Sequence, residues 1–286
     1  MRRTERAFVE AERAAVKSAA RAVPTDPEAF VTWFDSLAET NSQSSEALCA
    51  WLASEASAEQ VSWFVEHERS HELALEDLLA LTQVNMPPRS KLELARNYWE
   101  SMSHGAPATP FRQRPTLAVD AAPPEPVWEA LAVDNLMVAL ASARHYAYQS
   151  LGALGLVEHT TPQRASAVDQ ARQRLGLLSA AEDIAWRPAN AHRHAALWSR
   201  EVLAPLVRND SSLACVIAEG ALMRIRLDAR RDARYLQLLE QSSTRAAQFE
   251  YAEDSAPVHP EPVAPAASTP AVRPVRWRDV SPRPTY

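Results

Sequence analysis

Apolar residues recur along most of the chain at intervals of three and four positions, which is the spacing of an amphipathic α-helix. The alternation of apolar and polar positions that marks strands is hard to find. Two capping boxes mark helix starts, at Thr25-Asp26-Pro27-Glu28 and at Ser57-Ala58-Glu59-Gln60. The predicted helices cover residues 4–22, 27–37, 46–56, 58–82, 90–102, 127–154, 161–175, 179–187, 191–207 and 212–248. The pattern therefore predicts an all-α protein.

Prolines interrupt this pattern in two places. Residues 104–126 hold six prolines and cannot form a regular helix, so they form a lid, a loop or a flexible insert. From Asp254 onward a further eight prolines predict a disordered or polyproline-like tail, either a solubilising tail or a docking peptide for a partner protein. The expected organisation is an N-terminal charged helix at 1–24, a helical domain at 25–250 and the tail at 251–286.

Composition narrows the function classes. With only 5 glycines and 47% hydrophobic residues, the chain favours helices packed around a sizeable core. The net charge is −6 and no basic stripe dominates, so nucleic acid is a poor candidate partner. Cys49 and Cys215 lie far apart in apolar contexts and predict neither a disulfide framework nor a cysteine zinc site. No apolar run reaches membrane-spanning length and no secretory signal is evident, so we expect a cytoplasmic protein.

The predicted helix at 58–82 carries the first candidate site. Glu68 and His71 form a Glu-x-x-His pair, whose spacing places both side chains on one helix face, as di-iron carboxylate bundles require. The apolar stripe of this helix passes through Glu68 and through His71 or Glu72. Buried charges are costly unless they are paired, hydrogen-bonded or bound to metal. An exposed or salt-bridged face is nevertheless the commoner setting for such a pair.

Two further polar residues continue apolar stripes on other predicted segments. Glu158 follows Leu151 and Leu154 at helical spacing, and His194 shares a face with Leu197 and Trp198. A lone inward histidine is more often a satisfied core residue than a metal ligand. Carboxylates and an imidazole converging from three segments would, however, suit non-haem iron and oxygen chemistry.

Several longer strings are more specific. They are Leu81–Pro87, Lys91–Trp99, Tyr146–Gly155 with Glu158 and Thr161-Pro162 after it, Trp198–Val207 and Ala218–Arg224. These strings resemble the bacterial iron-containing redox enzyme family, and the similarity covers roughly residues 28–245. The resemblance implies a heme-oxygenase-like helical bundle. It also implies an oxidase or oxygenase that uses non-haem iron, often two ions, on a small molecule in biosynthesis.

The family's ligand pattern carries over only in part. The resemblance implies that Glu68, Glu158 and His194 are metal ligands. Two other ligand positions of the family are occupied by Arg187 and Ala191, and the glutamate of its second helix aligns with Ser101. Further candidates near the expected positions are His71, Glu72, Glu100 and His104.

The incomplete ligand set leaves two main hypotheses. Three ligands could hold one iron, whereas Arg187 would disfavour a second metal by repulsion. The first hypothesis is a non-haem iron oxidase or oxygenase, with a small-molecule substrate and oxygen as its partners. The second is a metal-free relative that keeps the fold to bind a small molecule or a protein. A role for haem or another cofactor, a protein partner bound through the tail and a homodimer also stay open.

Overall fold

A computed structural model describes residues 3–72, 75–84, 86–101, 126–177 and 194–254, apart from the side chains of 69–72, 101 and 243–254. The chain divides into two compact units, Met1–Thr244 and Arg245–Tyr286. Of the second unit, only the end of the last helix is described. The predicted tail, most of the predicted insert at 104–126 and the predicted element at 179–187 lie outside the described residues.

Every regular element in the described ranges is helical, which confirms the predicted fold class. The first half contains α1 (Arg3–Arg21), α2 (Pro27–Ser44), α3 (Glu46–Ser54), α4 (Ala58–Glu72), α5 (Leu75–Gln83) and α6 (Pro88–Ser101). The second half contains α7 (Trp128–Ser142), a 3-10 turn (Arg144–Tyr146), α8 (Ala147–Arg174), a π-helix (Trp198–Leu203), α9 (Ala204–Asn209) and α10 (Leu213–Asp254). No helix in these ranges has both the length and the apolar character that a membrane span requires.

Both predicted helix starts are confirmed, although α2 is capped by Asp26 rather than by Thr25, the first residue of the predicted box. The Asp26 carboxylate accepts from the backbone N–H of Ala29 at 2.9 Å, and Pro27 occupies the first position of α2. Before α4, the Ser57 N–H donates to the side chain of Gln60 at 2.8 Å. The Gln60 N–H returns the bond to the Ser57 hydroxyl at 3.3 Å. Because each side chain satisfies the other's orphan backbone donor, the helix start is fixed locally.

The predicted boundary between the helices at 127–154 and 161–175 is wrong. α7 ends earlier, at Ser142, and α8 runs without interruption through Gly152, Gly155 and Pro162. The two glycines do not end a helix. A Cβ atom added to Gly152 would lie 2.0 Å from the backbone oxygen of Ile217 in α10, so no side chain fits there. Glycine in α8 therefore marks a point where two helix backbones touch.

The crossing of α8 and α10 requires a glycine on each helix. A Cβ atom on Gly220 of α10 would lie 1.8 Å from the backbone oxygen of Gln149 in α8. Beyond the end of α8 at Arg174, Gly176 has a φ of 66°, which lies in the left-handed region that glycine adopts without strain. The Leu177 N–H then donates to the Arg172 carbonyl at 2.9 Å and closes the helix end.

The hydrophobic core has two parts. The larger part joins all the long helices except α3 and α4, and its largest buried side chains include Trp198, Tyr146, Phe30 and Phe34. A smaller part lies around α3 and α4 and contains Leu48, Leu52, Val61, Phe64 and Tyr235. The N-terminal helix α1 is packed into the larger part through Val9, Val16 and Ala20, so its charged sequence still presents an apolar stripe.

A buried network of ion pairs ties α8 to α10 beside the smaller core. Arg164 donates to both carboxylate oxygens of Asp232 at 2.5 Å. Arg231 contacts Asp228 and Asp232 at 3.1 Å each, and the Ser45 hydroxyl donates to Asp232 at 2.6 Å. Burial alone would raise the pKa of Asp232, but the two guanidinium groups outweigh it and hold that pKa well below its usual range. Asp232 is therefore a buried anion on which both arginines depend.

We expect the variant Asp232→Asn to lose about 3–5 kcal/mol of unfolding free energy, because it removes the carboxylate that two buried guanidinium groups share. Urea unfolding followed by circular dichroism measures this loss. The control is Glu28→Gln, which removes an exposed ion pair with Arg208 and should cost less than about 1 kcal/mol. Equal losses in the two variants would contradict the role assigned to Asp232.

The crossing of α8 and α10 gives a second prediction. Gly152→Ala should destabilise the fold by about 1–3 kcal/mol or more, because the added methyl group meets backbone that cannot rotate away. Gly176→Ala has open space around its Cβ position and should show only the cost of a left-handed residue, about 1 kcal/mol. Thermal unfolding of both variants makes the comparison, and a smaller effect at Gly152 would refute the close crossing.

Candidate functional site

Glu158 and His194, which the sequence places on different segments, lie beside each other in the structure. The Nδ1 atom of His194 is 3.5 Å from Oε2 of Glu158. Both residues are buried, with 8% of each exposed. Glu158 lies on the inner side of α8, and His194 lies in the helical turn at 194–197 that leads into the π-helix. Pro162, which has no N–H, leaves the Glu158 carbonyl without its helical donor.

A second carboxylate reaches the same imidazole from α6. Oε2 of Glu100 lies 2.5 Å from Nε2 of His194, opposite the side that faces Glu158. Asn97, one turn earlier on α6, donates from Nδ2 to Oε1 of Glu158 at 3.0 Å. These four residues, Asn97, Glu100, Glu158 and His194, are called the carboxylate–imidazole cluster below.

Charge holds the cluster together. Burial alone would lower the pKa of His194, but the hydrogen bonds and negative charges of Glu158 and Glu100 outweigh it and raise that pKa above its ordinary value. A neutral imidazole has a single N–H, whereas the protonated ring can donate from both nitrogens. The protonated form is thus the one that satisfies both carboxylates at once.

A π-helix follows the helical turn that carries His194. Its wide turns are rare in proteins and occur frequently at functional sites. Ser199 in the π-helix donates to the Asp35 carboxylate of α2 at 2.7 Å, and the same carboxylate lies 3.2 Å from Nε2 of His159. Because His159 is the neighbour of Glu158, Asp35 links α8 to the π-helix that follows the turn with His194. Burial would raise the pKa of Asp35, but its bonds to His159 and Ser199 outweigh this and lower it.

Glu68 is placed differently from the expectation that it joins Glu158 and His194. Its carboxylate lies 3.3 Å from Arg164 and 3.9 Å from Arg231, within the buried ion-pair network. A carboxylate between two guanidinium groups already has its counter-charge, and those groups would repel a metal ion. The salt-bridged setting that the sequence left open for Glu68 is the one the structure has.

The remaining candidate ligands are outside the described part of the chain. The side chains of His71 and Glu72 are outside the described residues, as are His104, Arg187 and Ala191. Asn97 was missed by sequence reasoning. Its spacing of three from Glu100 indicates a shared helix face, but no pattern along the chain links an α6 amide to a glutamate of α8.

The cluster offers the kinds of donor that non-haem iron takes, carboxylate and imidazole. The arrangement differs, because the two carboxylates face opposite nitrogens of one ring rather than a common point. Among the residues that the structure describes, no group of three or more His, Cys, Asp or Glu side chains is arranged to hold a metal ion. The donors pair with each other instead, through the hydrogen bond between His194 and Glu100 and the 3.5 Å contact between His194 and Glu158.

Comparison with known families supplies independent information. Residues 116–229 match the family model described as iron-containing redox enzyme. This match, over less than half of the chain, supports the predicted resemblance to that family. It includes Glu158, His194 and the π-helix, whereas Glu68 and Glu100 precede it. The family suggests an oxidoreductase. A comparison with curated proteins finds no match.

The raised pKa of His194 gives a pH prediction for the metal-free protein. A histidine whose folded pKa exceeds its unfolded value of about 6.5 stabilises the fold fully below that pH. This contribution disappears as the pH rises through the folded pKa. The free energy of unfolding should therefore fall with rising pH above about 6.5 in the wild type, and His194→Gln should remove that part of the slope.

Urea unfolding across this pH range, with chelator present, measures the slope. The control is His145→Gln, because His145 is exposed and lies outside the cluster. It should keep the wild-type dependence. A His194→Gln variant with the same slope as the wild type would show that the proton on His194 does not hold the cluster together.

Proposed function

We propose that this protein is an oxidoreductase that uses one non-haem iron ion, held by Glu100, Glu158 and His194, to act with oxygen on a small molecule in biosynthesis. The observation that supports the proposal most is that a carboxylate from α6 and a carboxylate from α8 both lie against the buried imidazole of His194. Two of these three residues lie within the stretch that matches the iron-containing redox enzymes.

The choice of Glu100 over Glu68 follows from charge. An ion at Glu68 would have to overcome two guanidinium groups that cannot give up their charge, because arginine stays protonated in proteins. Glu100 instead faces His194, whose positive charge is a proton that can leave. Metal binding at the cluster would therefore exchange that proton for the ion, as binding to histidine ligands generally does.

The chain's own residues would prepare the site. Asn97 fixes the orientation of the Glu158 carboxylate through its 3.0 Å hydrogen bond. The burial of Glu158 and His194 keeps bulk water away from the donors. Iron bound there would supply the Lewis acidity and the electrons that oxygen chemistry requires.

A second candidate function is a metal-free relative that keeps the fold for binding. The observation that favours it is the placement of the two carboxylates on opposite nitrogens of His194. In that case the cluster is a permanent ion pair that fastens α6, α8 and the segment at 194 to one another.

Iron uptake separates the two functions. The full chain is loaded with Fe(II) without oxygen, freed of unbound metal and assayed for iron, and we expect about one iron per chain. Glu100→Ala, Glu158→Ala and His194→Ala should each lose it, because two donors are too few. Glu68→Gln should retain it. Loading should weaken at lower pH, where the proton on His194 competes with the metal.

The matched control is Glu93→Ala, which removes another buried carboxylate of α6 that pairs with Arg96 outside the cluster. Circular dichroism verifies that each variant is folded. Negligible iron in the wild type would exclude the iron proposal and favour the metal-free function. Loss of iron in Glu68→Gln with retention in Glu100→Ala would show that the iron ligand is Glu68 and not Glu100.

A further inference from the structure

α7 differs from the other helices in being apolar around almost its whole circumference. Among its 15 residues only Glu129 and Asp134 are charged. Its buried side chains surround most of the helix and are Ala130, Ala132, Val133, Leu136, Met137, Ala139, Leu140 and Ala141. A helix that is apolar all round is normally buried on all sides.

One stripe of α7 nevertheless faces solvent. It consists of Trp128, Leu131, Asn135, Val138 and Ser142, and is called the α7 stripe below. The exposed fractions are 72% for Trp128, 38% for Leu131 and 48% for Val138. Successive members are three or four residues apart, so they form one line along the helix. None is charged, whereas the exposed face of α10 carries Arg226, Arg230 and Glu240.

Exposed apolar side chains are concentrated on α7 and on the helix that packs against it. Of seven large apolar side chains exposed in the described part of the chain, five belong to the α7 stripe or to the neighbouring α5 and its following turn. The two outside the stripe are Leu81, exposed by 46%, and Val84, exposed by 60%. α5 packs directly against α7. A standard interface takes about 800 Å² from each partner, more than one short helix offers, so α5 has to contribute.

The order of residues in the α7 stripe fits a second copy of itself. If two copies of α7 pack antiparallel about a two-fold axis at Asn135, Leu131 faces Val138 of the second copy. Trp128 then faces Ser142, a large side chain against a small one. The two Asn135 amides meet at the axis, where they can hydrogen-bond to each other. An isologous interface requires this kind of self-complementarity, and an asparagine in an apolar seam fixes its register.

Charge favours the same face. The whole chain carries a net charge of −6, so two copies repel each other wherever charged surfaces meet. The α7 stripe is free of charge along its length. We infer that the protein forms a homodimer through the α7 stripe and the adjoining residues of α5.

Sedimentation equilibrium of the full chain tests the inference, with a concentration-dependent dimer expected for the wild type. Leu131→Glu and Val138→Glu should each raise the dimer dissociation constant by about a hundredfold or more, because they bury like charges close to the axis. The matched control is Leu92→Glu, since Leu92 is 70% exposed on α6, outside the stripe. It should leave the dimer intact. A monomeric wild type, or equal effects of Leu92→Glu and Leu131→Glu, would overturn the inference.

A crosslink gives a readout that does not depend on a destabilising charge. Asn135→Cys should form a disulfide-linked dimer on mild oxidation, because the two-fold axis brings the new thiols together. Ala229→Cys, at an exposed position of α10, should crosslink much more slowly. The wild type gives the background of Cys49 and Cys215. Crosslinking of Asn135→Cys no faster than that of Ala229→Cys would also overturn the inference.

Discussion

The contact between the backbones of α8 and α10 is the constraint on which the arrangement depends. At Gly152 and Gly220 the helices come so close that neither position can carry a side chain. This contact fixes the depth and rotation of α8 relative to α10. Glu158 is less than two turns from Gly152, so its carboxylate is directed by the same crossing. Arg164, less than two turns further, reaches Asp232 of α10 for the same reason.

Two carboxylates, Glu158 of α8 and the partly buried Glu68 of α4, differ in the cations that lie beside them. Glu158 faces His194, whose positive charge is a proton exchangeable near neutral pH. Glu68 faces Arg164 and Arg231, whose charges are permanent. On the proposed function, the first setting trades its proton for a metal ion, whereas the permanent charges at the second disfavour an ion. The position of a carboxylate in an apolar stripe therefore says less about its function than the identity of its partner cation.

The sequence predicted the features that depend on local patterns. Helical periodicity gave the all-α fold, and capping chemistry gave the starts of α2 and α4, because both signals lie within a few residues of each other. The apolar stripes that pass through Glu158 and His194 indicated buried positions, and the structure brings these residues together. Their role as metal ligands stays a prediction.

Features that depend on which helices cross could not be predicted in the same way. Gly152 was interpreted as a helix end because the sequence does not distinguish a glycine that ends a helix from a glycine at a close helix–helix contact. The ion pairs of Glu68 could not be predicted, because Arg164 and Arg231 lie about 100 and 160 positions away along the chain. Glu100 was only one of several candidates until the fold brought α6 against the segment that begins at His194. The chemistry of this protein is thus set by pairings between helices, and a carboxylate can be assigned a function only when the charge opposite it is known.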